Sequence, residues 1–291
     1  MPELPDVEVY VESLRSRIAG RRLVRVRPLN PFLLRTAVPP LSSAEGKRVA
    51  GVQRVGKRVV VALEDGPYLV LHLMIAGRLR WLGPGEKPPG RITLALFEFE
   101  NGMLAFTEAG TRRRASLHLL NTLDGLDPGG AELFAIDLAE FATRLKRENH
   151  TLKRALTDPR LFAGIGNAYS DEILHRARLS PIAMSARLND EEVHRLFAAT
   201  RSVLAEWTER LRREAAGGFP RKVTAFRDGM AVHGRFGKPC PVCGSPVQRI
   251  VFAENETNYC ARCQTGGRIL ADRALSRLLK KSWPRTLEEL E

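Results

Sequence analysis

The sequence predicts an α+β protein with more than one domain: a β-rich part first, then helices, then a small module that carries cysteines. Short segments rich in β-branched and aromatic residues, separated by turn residues, dominate the chain up to Gly125. After a cluster of Gly, Pro and Asp at 125–130, the hydrophobic period changes from two to about 3.6 residues. The four cysteines of the chain all lie between 240 and 263.

The β-rich part is expected to begin with one amphipathic helix. Apolar residues recur at helical spacing from Val7 to Ile18, and Gly20 ends the pattern. Hairpin turns are predicted at Gly56–Lys57 and at Asn101–Gly102. Strands are predicted at 23–26, 49–55, 58–63, 68–73, 92–100 and 103–107.

The part after residue 130 is expected to be helical. Helices are predicted at 137–149, 152–156, 168–176 and 190–213. Gly164 and Gly166 directly precede one of them, in a pattern that exposes backbone amides and suits phosphate oxygens. A structural turn explains the same two glycines, so this signal is weak by itself.

The cysteines form two pairs, Cys240/Cys243 and Cys260/Cys263, each with two residues between its members. This spacing is typical of a closed four-sulfur zinc site, and the segment Val247–Phe252 between the pairs suits one strand of a hairpin. Because four thiolates leave no coordination position for water, such a zinc ion is structural. Disulfides or a redox pair are the alternatives. No organic cofactor is expected.

The charge of the chain indicates a polyanionic partner. The sequence has 46 Lys and Arg against 33 Asp and Glu, a net charge of +13. Such an excess favours nucleic-acid phosphates, although an anionic membrane surface would also attract it. No apolar run approaches a membrane-spanning length, and no secretory signal pattern opens the chain. We therefore expect a soluble, cytoplasmic, monomeric protein that is not secreted.

The N-terminus offers a nucleophile. Removal of Met1 would leave Pro2 with a secondary amine beside the carboxylate of Glu3. A terminal amine has a lower pKa than lysine, so more of it is unprotonated near neutral pH. With an aldehyde carbon it forms an iminium, which withdraws electrons. The simpler explanation is that Pro2 and Pro5 only begin a helix.

Several motifs in order resemble the formamidopyrimidine-DNA glycosylase and endonuclease VIII family of base-excision repair. They are Met1–Asp6, Lys57 in its turn, His72–Leu73 with Ala76–Arg78, Gly164–Leu174, and the four cysteines. The resemblance implies an N-terminal helix with an antiparallel β-sandwich, a helix-two-turns-helix domain and a zinc-finger hairpin. The corresponding boundaries are 1–125, 126–218, 219–264 and a basic C-terminal extension, 265–291.

The resemblance also implies site residues. Pro2 would attack C1′ of the damaged nucleotide, and Glu3 would transfer protons. Lys57, Lys153 and Asn167 would hold DNA phosphates near the lesion. Without the resemblance, Glu3 is a helix-end charge and Lys57 a solvated turn residue.

The sequence departs from the family pattern at several positions. Ile75 stands where many relatives carry a methionine that fills the gap left by an extruded nucleotide, and Met74 stands one place earlier; either side chain could fill that gap. Ala115 replaces an aromatic residue after Arg112, Arg113 and Arg114, a run that is otherwise a solvated basic face. Asp6, which we count as catalytic, replaces glutamate, and Asn255 replaces a phosphate-binding arginine of the finger. The stretch from Gly217 to the finger is short for a loop that reads 8-oxoguanine.

These observations predict a bifunctional DNA glycosylase and abasic-site lyase, located at the bacterial nucleoid, that acts on damaged DNA with oxidised or ring-opened bases. The main alternative is a homologue that binds damaged DNA without excising a base, because four recognition positions are altered. A structural or transcriptional zinc-ribbon module is a third class, but it leaves the N-terminal motif unexplained.

Overall fold

A computed structural model describes residues 1–110, 112–221, 223–224, 226–252, 255–280 and 283–290. The chain forms two compact units. The first comprises Met1–Pro128 and Trp207–Thr224, and the second comprises Gly129–Glu206 and Ala225–Glu291. One boundary between the two units, between Glu206 and Trp207, therefore falls inside one long helix, α5 (Asp190–Ala215).

Helix α1 (Leu4–Ile18) opens the first unit. Pro5 lies in its first turn, where proline needs no backbone N–H, and Arg15 and Arg17 lie in its last turn, where cations are favourable. Its apolar face, from Val7 to Ile18, is buried in the core of the unit. The predicted N-terminal helix is therefore present and starts three residues earlier than its apolar repeat.

Two four-stranded antiparallel sheets follow α1, and side chains from both fill one core, as in a β-sandwich. The first sheet has the strand order β1-β6-β7-β5 and the second has the order β2-β3-β4-β8. The strands are β1 (Leu23–Pro28), β2 (Val49–Val55), β3 (Arg58–Leu63), β4 (Tyr68–His72), β5 (Gly77–Leu82), β6 (Thr93–Phe99), β7 (Gly102–Glu108) and β8 (Ser116–Leu120).

The six predicted strands are all present, and β5 and β8 are two that the sequence analysis did not predict. Both come last in the strand order of their sheets, β5 beside β7 and β8 beside β4. Such short edge strands depend on pairing with a partner distant in sequence, and local composition does not report that pairing.

The second unit contains the predicted helices. They are α2 (Leu138–Lys146), α3 (Leu152–Thr157), α4 (Asn167–Ala177) and the N-terminal part of α5. Phe141 anchors their core: its ring lies 4.7 Å from that of Phe162 and 5.2 Å from that of Phe197, measured between centroids. Gly164 has φ of +84°, a conformation that favours glycine just before α4.

A hairpin of β9 (Val247–Phe252) and β10 (Asn255–Cys260) is followed by helix α6 (Ala261–Thr265). Cys240 and Cys243 precede the hairpin, Cys260 ends β10 and Cys263 lies in α6. The C-terminal segment, which includes helix α7 (Arg273–Leu279), packs on this hairpin. The backbone N–H of Leu270 donates to the Tyr259 hydroxyl at 2.8 Å, and that of Val251 donates to the Asp272 carboxylate at 2.7 Å. The fold class predicted from the sequence is confirmed.

Among the described residues, no helix is both long enough and apolar enough to cross a membrane.

Candidate active site

The first turn of α1 fixes two carboxylates beside Pro2. Glu3 and Asp6 are only 2% and 3% exposed, and Pro2 is also buried. The backbone N–H of Glu3 donates to Asp6 Oδ2 at 2.9 Å, while the Glu3 side chain accepts from the backbone N–H of Asp6. This reciprocal capping box orients both carboxylates at the start of the helix.

Four charged side chains surround the terminal amine. In the chain as described that amine belongs to Met1, and it stands one residue ahead of the amine that Pro2 would carry after processing. Burial lowers its pKa below the ordinary value, and the positive charges of Arg78 and Lys57 lower it further. Glu3 and Asp6 act in the opposite direction. The net lowering increases the unprotonated, nucleophilic fraction near neutral pH.

Lys57 lies in the two-residue turn between β2 and β3. Gly56 precedes it with φ of +58°, and Val55 pairs with Arg58 to close the turn. Arg54 stabilises the turn by donating to the Gly56 carbonyl at 2.8 Å and to the Glu8 carboxylate on α1 at 3.1 Å. These contacts tie the Lys57 turn to the helix that bears Pro2.

The turn between β4 and β5 exposes one apolar side chain. Ile75 is 53% exposed, whereas Met74 is partly buried and has φ of +51°, an unusual value for a side chain of its size. A Cβ on Gly77 would lie 2.2 Å from the Leu73 carbonyl oxygen, so only glycine permits this tight turn. Arg78 donates to the Ile75 carbonyl at 3.2 Å and thereby links the turn to the charges around the amine.

A buried carboxylate, which was not predicted from the sequence, binds the backbone at the end of the arginine run. Glu108 is 1% exposed and accepts the backbone N–H groups of Arg114 at 3.0 Å and Ala115 at 3.1 Å. Ala115 is buried in the core of the unit, while the side chains of Arg112 and Arg113 are exposed. Thr111, which opens this motif, lies outside the described residues.

In the second unit, Lys153 contacts both Asn167 and the buried carboxylate of Asp171. Lys153 Nζ forms an ion pair with Asp171 Oδ1 and donates to the Asn167 carbonyl at 2.7 Å. The Asn167 side-chain amide donates to the Glu256 carbonyl on β10 at 2.7 Å. Both residues predicted to hold phosphates are thus held by contacts within the protein.

Asp171 also binds groups from the C-terminal part of the unit. Its Oδ2 atom lies 2.8 Å from Nδ1 of His233 and accepts the backbone N–H of Asn258 on β10 at 3.1 Å. The neighbouring Glu172 accepts the backbone N–H groups of residues 231–233 at 2.7–2.9 Å. Burial raises the pKa of Glu172, and these donors oppose the rise.

These two acids were not predicted from the sequence to be site residues. Their only local sign is two adjacent carboxylates in the middle of a short helix, and their partners come from distant segments.

The four cysteines fit a zinc ion. Their sulfur atoms all lie within 4.8 Å of one another, with Cys240–Cys263 at 4.0 Å and Cys243–Cys260 at 3.4 Å. Sulfurs about 2.3 Å from a tetrahedral zinc ion are about 3.8 Å apart, and a disulfide would bring two of them to about 2.05 Å. The site is therefore a structural zinc centre, as predicted. His175 Nε2 lies 3.3 Å from the Cys240 sulfur and suits an outer hydrogen bond to that thiolate.

Asn255 is exposed at the first position of β10, immediately after residues 253–254, which lie outside the described part. Arg249, on the paired strand β9, stacks on Phe236 at 4.3 Å and forms an ion pair with Glu256 at 3.3 Å. A permanently charged donor thus remains on the finger, at a position that the sequence analysis did not consider.

Comparison with known families covers most of the chain. Residues 1–116 match the formamidopyrimidine-DNA glycosylase N-terminal domain, and residues 125–214 match the H2TH domain of the same proteins. Residues 237–266 match the zinc finger found in FPG and IleRS.

Individual relatives match along nearly their whole length. A formamidopyrimidine-DNA glycosylase of Thermus thermophilus is 39% identical over 286 residues, covering 92% of this chain and 100% of the relative. One from Pelotomaculum thermopropionicum is 34% identical, covering 91% of this chain and 99% of the relative.

Solved structures agree with these matches. The crystal structure of MutM (Fpg) from Thermus thermophilus has a TM-score of 0.75 at 37% identity, covering 90% of this chain and 98% of that one. The Lactococcus lactis Fpg bound to DNA with an abasic site has a TM-score of 0.80 at 25% identity, covering 90% and 99%.

Proposed function

This chain belongs to the formamidopyrimidine-DNA glycosylase family, and we propose that Pro2, Glu3, Asp6 and Lys57 carry its chemistry. As a member of the family it is a DNA glycosylase with abasic-site lyase activity in base-excision repair. The observation that supports the residue assignment best is the capping box at the start of α1, which holds the buried carboxylates of Glu3 and Asp6 beside the buried Pro2.

The amine of Pro2, once Met1 is removed, would attack C1′ of the damaged nucleotide. A new N–C1′ bond forms as the bond from C1′ to the base breaks, and the departing base takes a proton. Glu3 would donate a proton to the ring oxygen as the sugar opens, which leaves a cationic iminium at C1′. The iminium acidifies the 2′ hydrogen, so its loss expels the 3′ phosphate and cuts the strand. Asp6 would hold Glu3 in place through the capping box.

Residues in both units would hold the DNA backbone. We assign phosphate contacts to Lys57 and to Arg112, Arg113 and Arg114 in the first unit, and to Lys153, Asn167 and Asn255 in the second. These contacts position the DNA and do not read its sequence. We assign the gap-filling role to Ile75, because it is 53% exposed at the tip of its turn while Met74 is partly buried.

We propose oxidised or ring-opened bases as the substrate class. Structures of the Lactococcus lactis relative contain DNA with Fapy-dG, an oxidised pyrimidine or an abasic site. We place the protein in the bacterial cytoplasm, at the nucleoid, since its relatives are bacterial and its substrate is DNA. The segments 1–125, 126–218, 219–264 and 265–291 would act as the catalytic domain, the helix-two-turns-helix domain, the finger and its extension.

Borohydride trapping tests the role of Pro2. The processed protein is mixed with an oligonucleotide that carries one abasic site, and reduction converts the iminium to a stable amine. Wild type should give a covalent adduct, and Pro2→Gly should reduce its rate by at least about 100-fold. Pro5→Ala is the matched control, because it removes a proline of the same helix turn without touching the amine.

Mass spectrometry of the active protein supplies the second measurement. Retention of Met1 in fully active protein would exclude the Pro2 amine as the nucleophile. DNA binding by wild type without any adduct would instead favour the binding homologue that excises no base.

A further inference from the structure

A half-open cavity of about 700 Å³ lies in the first unit, away from the terminal amine. It is lined by the C-terminal end of α1, the end of β5 with the loop that follows, and residues 219–221. Arg17, which reaches the cavity from α1, lies 13 positions after Leu4. At 1.5 Å per residue this places the Arg17 side of the cavity about 20 Å along the helix from the start of α1.

The cavity is strongly basic. Arg17, Arg80, Lys87 and Arg221 line it, and Glu86 is the one acid among the lining residues. Within the described ranges, none of the four cations forms an ion pair with a carboxylate. Among the described residues, the Arg17 guanidinium donates to neutral oxygens: the Ser13 carbonyl at 2.8 Å, the Ser16 hydroxyl at 3.5 Å and the Gly217 carbonyl at 3.4 Å. The Glu86 carboxylate accepts a hydrogen bond from the backbone N–H of Gly83 at 2.9 Å. The cavity therefore holds uncompensated positive charge.

Two aromatic rings contribute its apolar surface. Trp81 is supported by Phe99, with ring centroids 6.0 Å apart, and lies so close to Gly102 that a Cβ there would be 2.5 Å from the indole. Phe219 packs against Tyr10 at 5.6 Å and lies under the Arg17 guanidinium at 5.6 Å. Both rings are partly exposed and both line the cavity. Their supporting contacts restrict how far either ring can move.

We propose that this cavity binds a nucleotide, with the base against Trp81 or Phe219 and the phosphate among Arg80, Lys87 and Arg221. Unpaired cations alone would suit any anion, but rigid aromatic surfaces beside them suit an anion that carries a planar ring. The volume is large enough for one nucleotide, since ligand pockets start at about 300 Å³. The nucleotide can be free in solution or an unpaired residue of a DNA strand.

The test is isothermal titration calorimetry of the processed, zinc-loaded protein with five ligands: dAMP, deoxyadenosine, inorganic phosphate, a short blunt duplex, and the same duplex with a single-stranded overhang. We expect dAMP to bind at least about tenfold more tightly than deoxyadenosine or phosphate. Arg80→Ala with Lys87→Ala should weaken dAMP binding at least about tenfold. The control pair Arg21→Ala with Arg25→Ala removes the same charge from exposed positions outside the cavity and should change it less than about twofold.

Trp81→Phe keeps an aromatic ring at this position of β5 and therefore changes the sheet less than an alanine substitution would. In wild type, dAMP should quench part of the tryptophan fluorescence, and the quench should disappear in this variant. Pro2→Gly should leave dAMP binding unchanged, so failure of the cavity proposal is distinguishable from failure of the Pro2 mechanism. If the overhang duplex binds more tightly than the blunt one, and the Arg80/Lys87 variant loses this difference, the bound nucleotide is an unpaired residue of a DNA strand. Binding of dAMP alone identifies a free nucleotide.

Equal affinities for phosphate and dAMP would overturn the proposal, because the rings would then contribute nothing. So would undetectable dAMP binding combined with equal affinities for the two duplexes.

Discussion

The Asp6 carboxylate accepts a hydrogen bond from the backbone N–H of Glu3 at 2.9 Å, at the point where α1 begins. The aspartate at this position completes the reciprocal cap with Glu3. The cap satisfies one of the unpaired N–H groups of the first turn and keeps the Glu3 carboxylate beside the terminal amine.

Replacing Asp6 by alanine should disturb both stability and chemistry. We expect the free energy of unfolding to fall by about 1 kcal/mol, the usual effect of losing a helix cap, and the rate of borohydride trapping to fall about tenfold because Glu3 is less well held. Asp6→Glu is the matched control and should retain most of both quantities. Urea denaturation and trapping rates measure them, and an Asp6→Ala protein with wild-type values for both would contradict this role.

His72 should make the first unit less stable in mild acid. Burial, with the charges of Arg58 and Lys57, lowers the pKa of His72 to about 4 from an ordinary value of 6.5. As the pH falls from 6.5 towards 4, His72 binds a proton in the unfolded chain but stays neutral in the folded chain. The free energy of unfolding therefore falls in this window. Between pH 7 and pH 5 the loss attributable to His72 should be about 1–2 kcal/mol.

The His72→Gln variant separates this effect from other titrations. Its free energy of unfolding should decline less than that of wild type between the same two pH values. A parallel decline in the two proteins would show that His72 is protonated in the folded state as readily as in the unfolded one.

The Asp171 carboxylate should be essential to the second unit. Asp171→Asn keeps the side-chain shape but leaves Lys153, whose side chain is 15% exposed, without its counter-charge. Breaking a buried pair in this way typically costs about 3–5 kcal/mol of unfolding free energy. The control Glu140→Gln breaks the exposed pair with Arg144 on α2 and should cost at most about 0.5 kcal/mol. Similar costs for the two variants, measured in urea, would show that the Asp171 pair is no more important than a surface pair.

His175 should slow the loss of zinc. Its Nε2 atom lies 3.3 Å from the Cys240 sulfur, and outer hydrogen bonds of this kind typically change metal affinity about 10- to 100-fold. We expect His175→Phe to release zinc to a chelating dye at least about tenfold faster than wild type. His175→Gln retains an N–H donor and should lie between the two. Equal release rates in all three proteins would remove His175 from the metal site.

Removing the metal should weaken DNA binding. Zinc holds the ends of the β9–β10 hairpin together through the cysteine pairs, and the hairpin presents Asn255 and Arg249. After chelation, verified by metal analysis, we expect affinity for an abasic duplex to fall at least about tenfold at constant salt. Unchanged affinity would place the finger outside the DNA interface.

Local sequence determined the elements and the metal site of this protein. The α1 repeat, the alternating strands, the two turn dipeptides and the cysteine spacing each depend on residues close together in the chain, so each was visible in the sequence. Only the tertiary structure decided the edge strands β5 and β8, the charges around the amine, the partners of Asp171 and the basic cavity beside Trp81. Those features join segments up to about 200 residues apart, as Arg17 and Phe219 show, and no local period or spacing encodes such contacts.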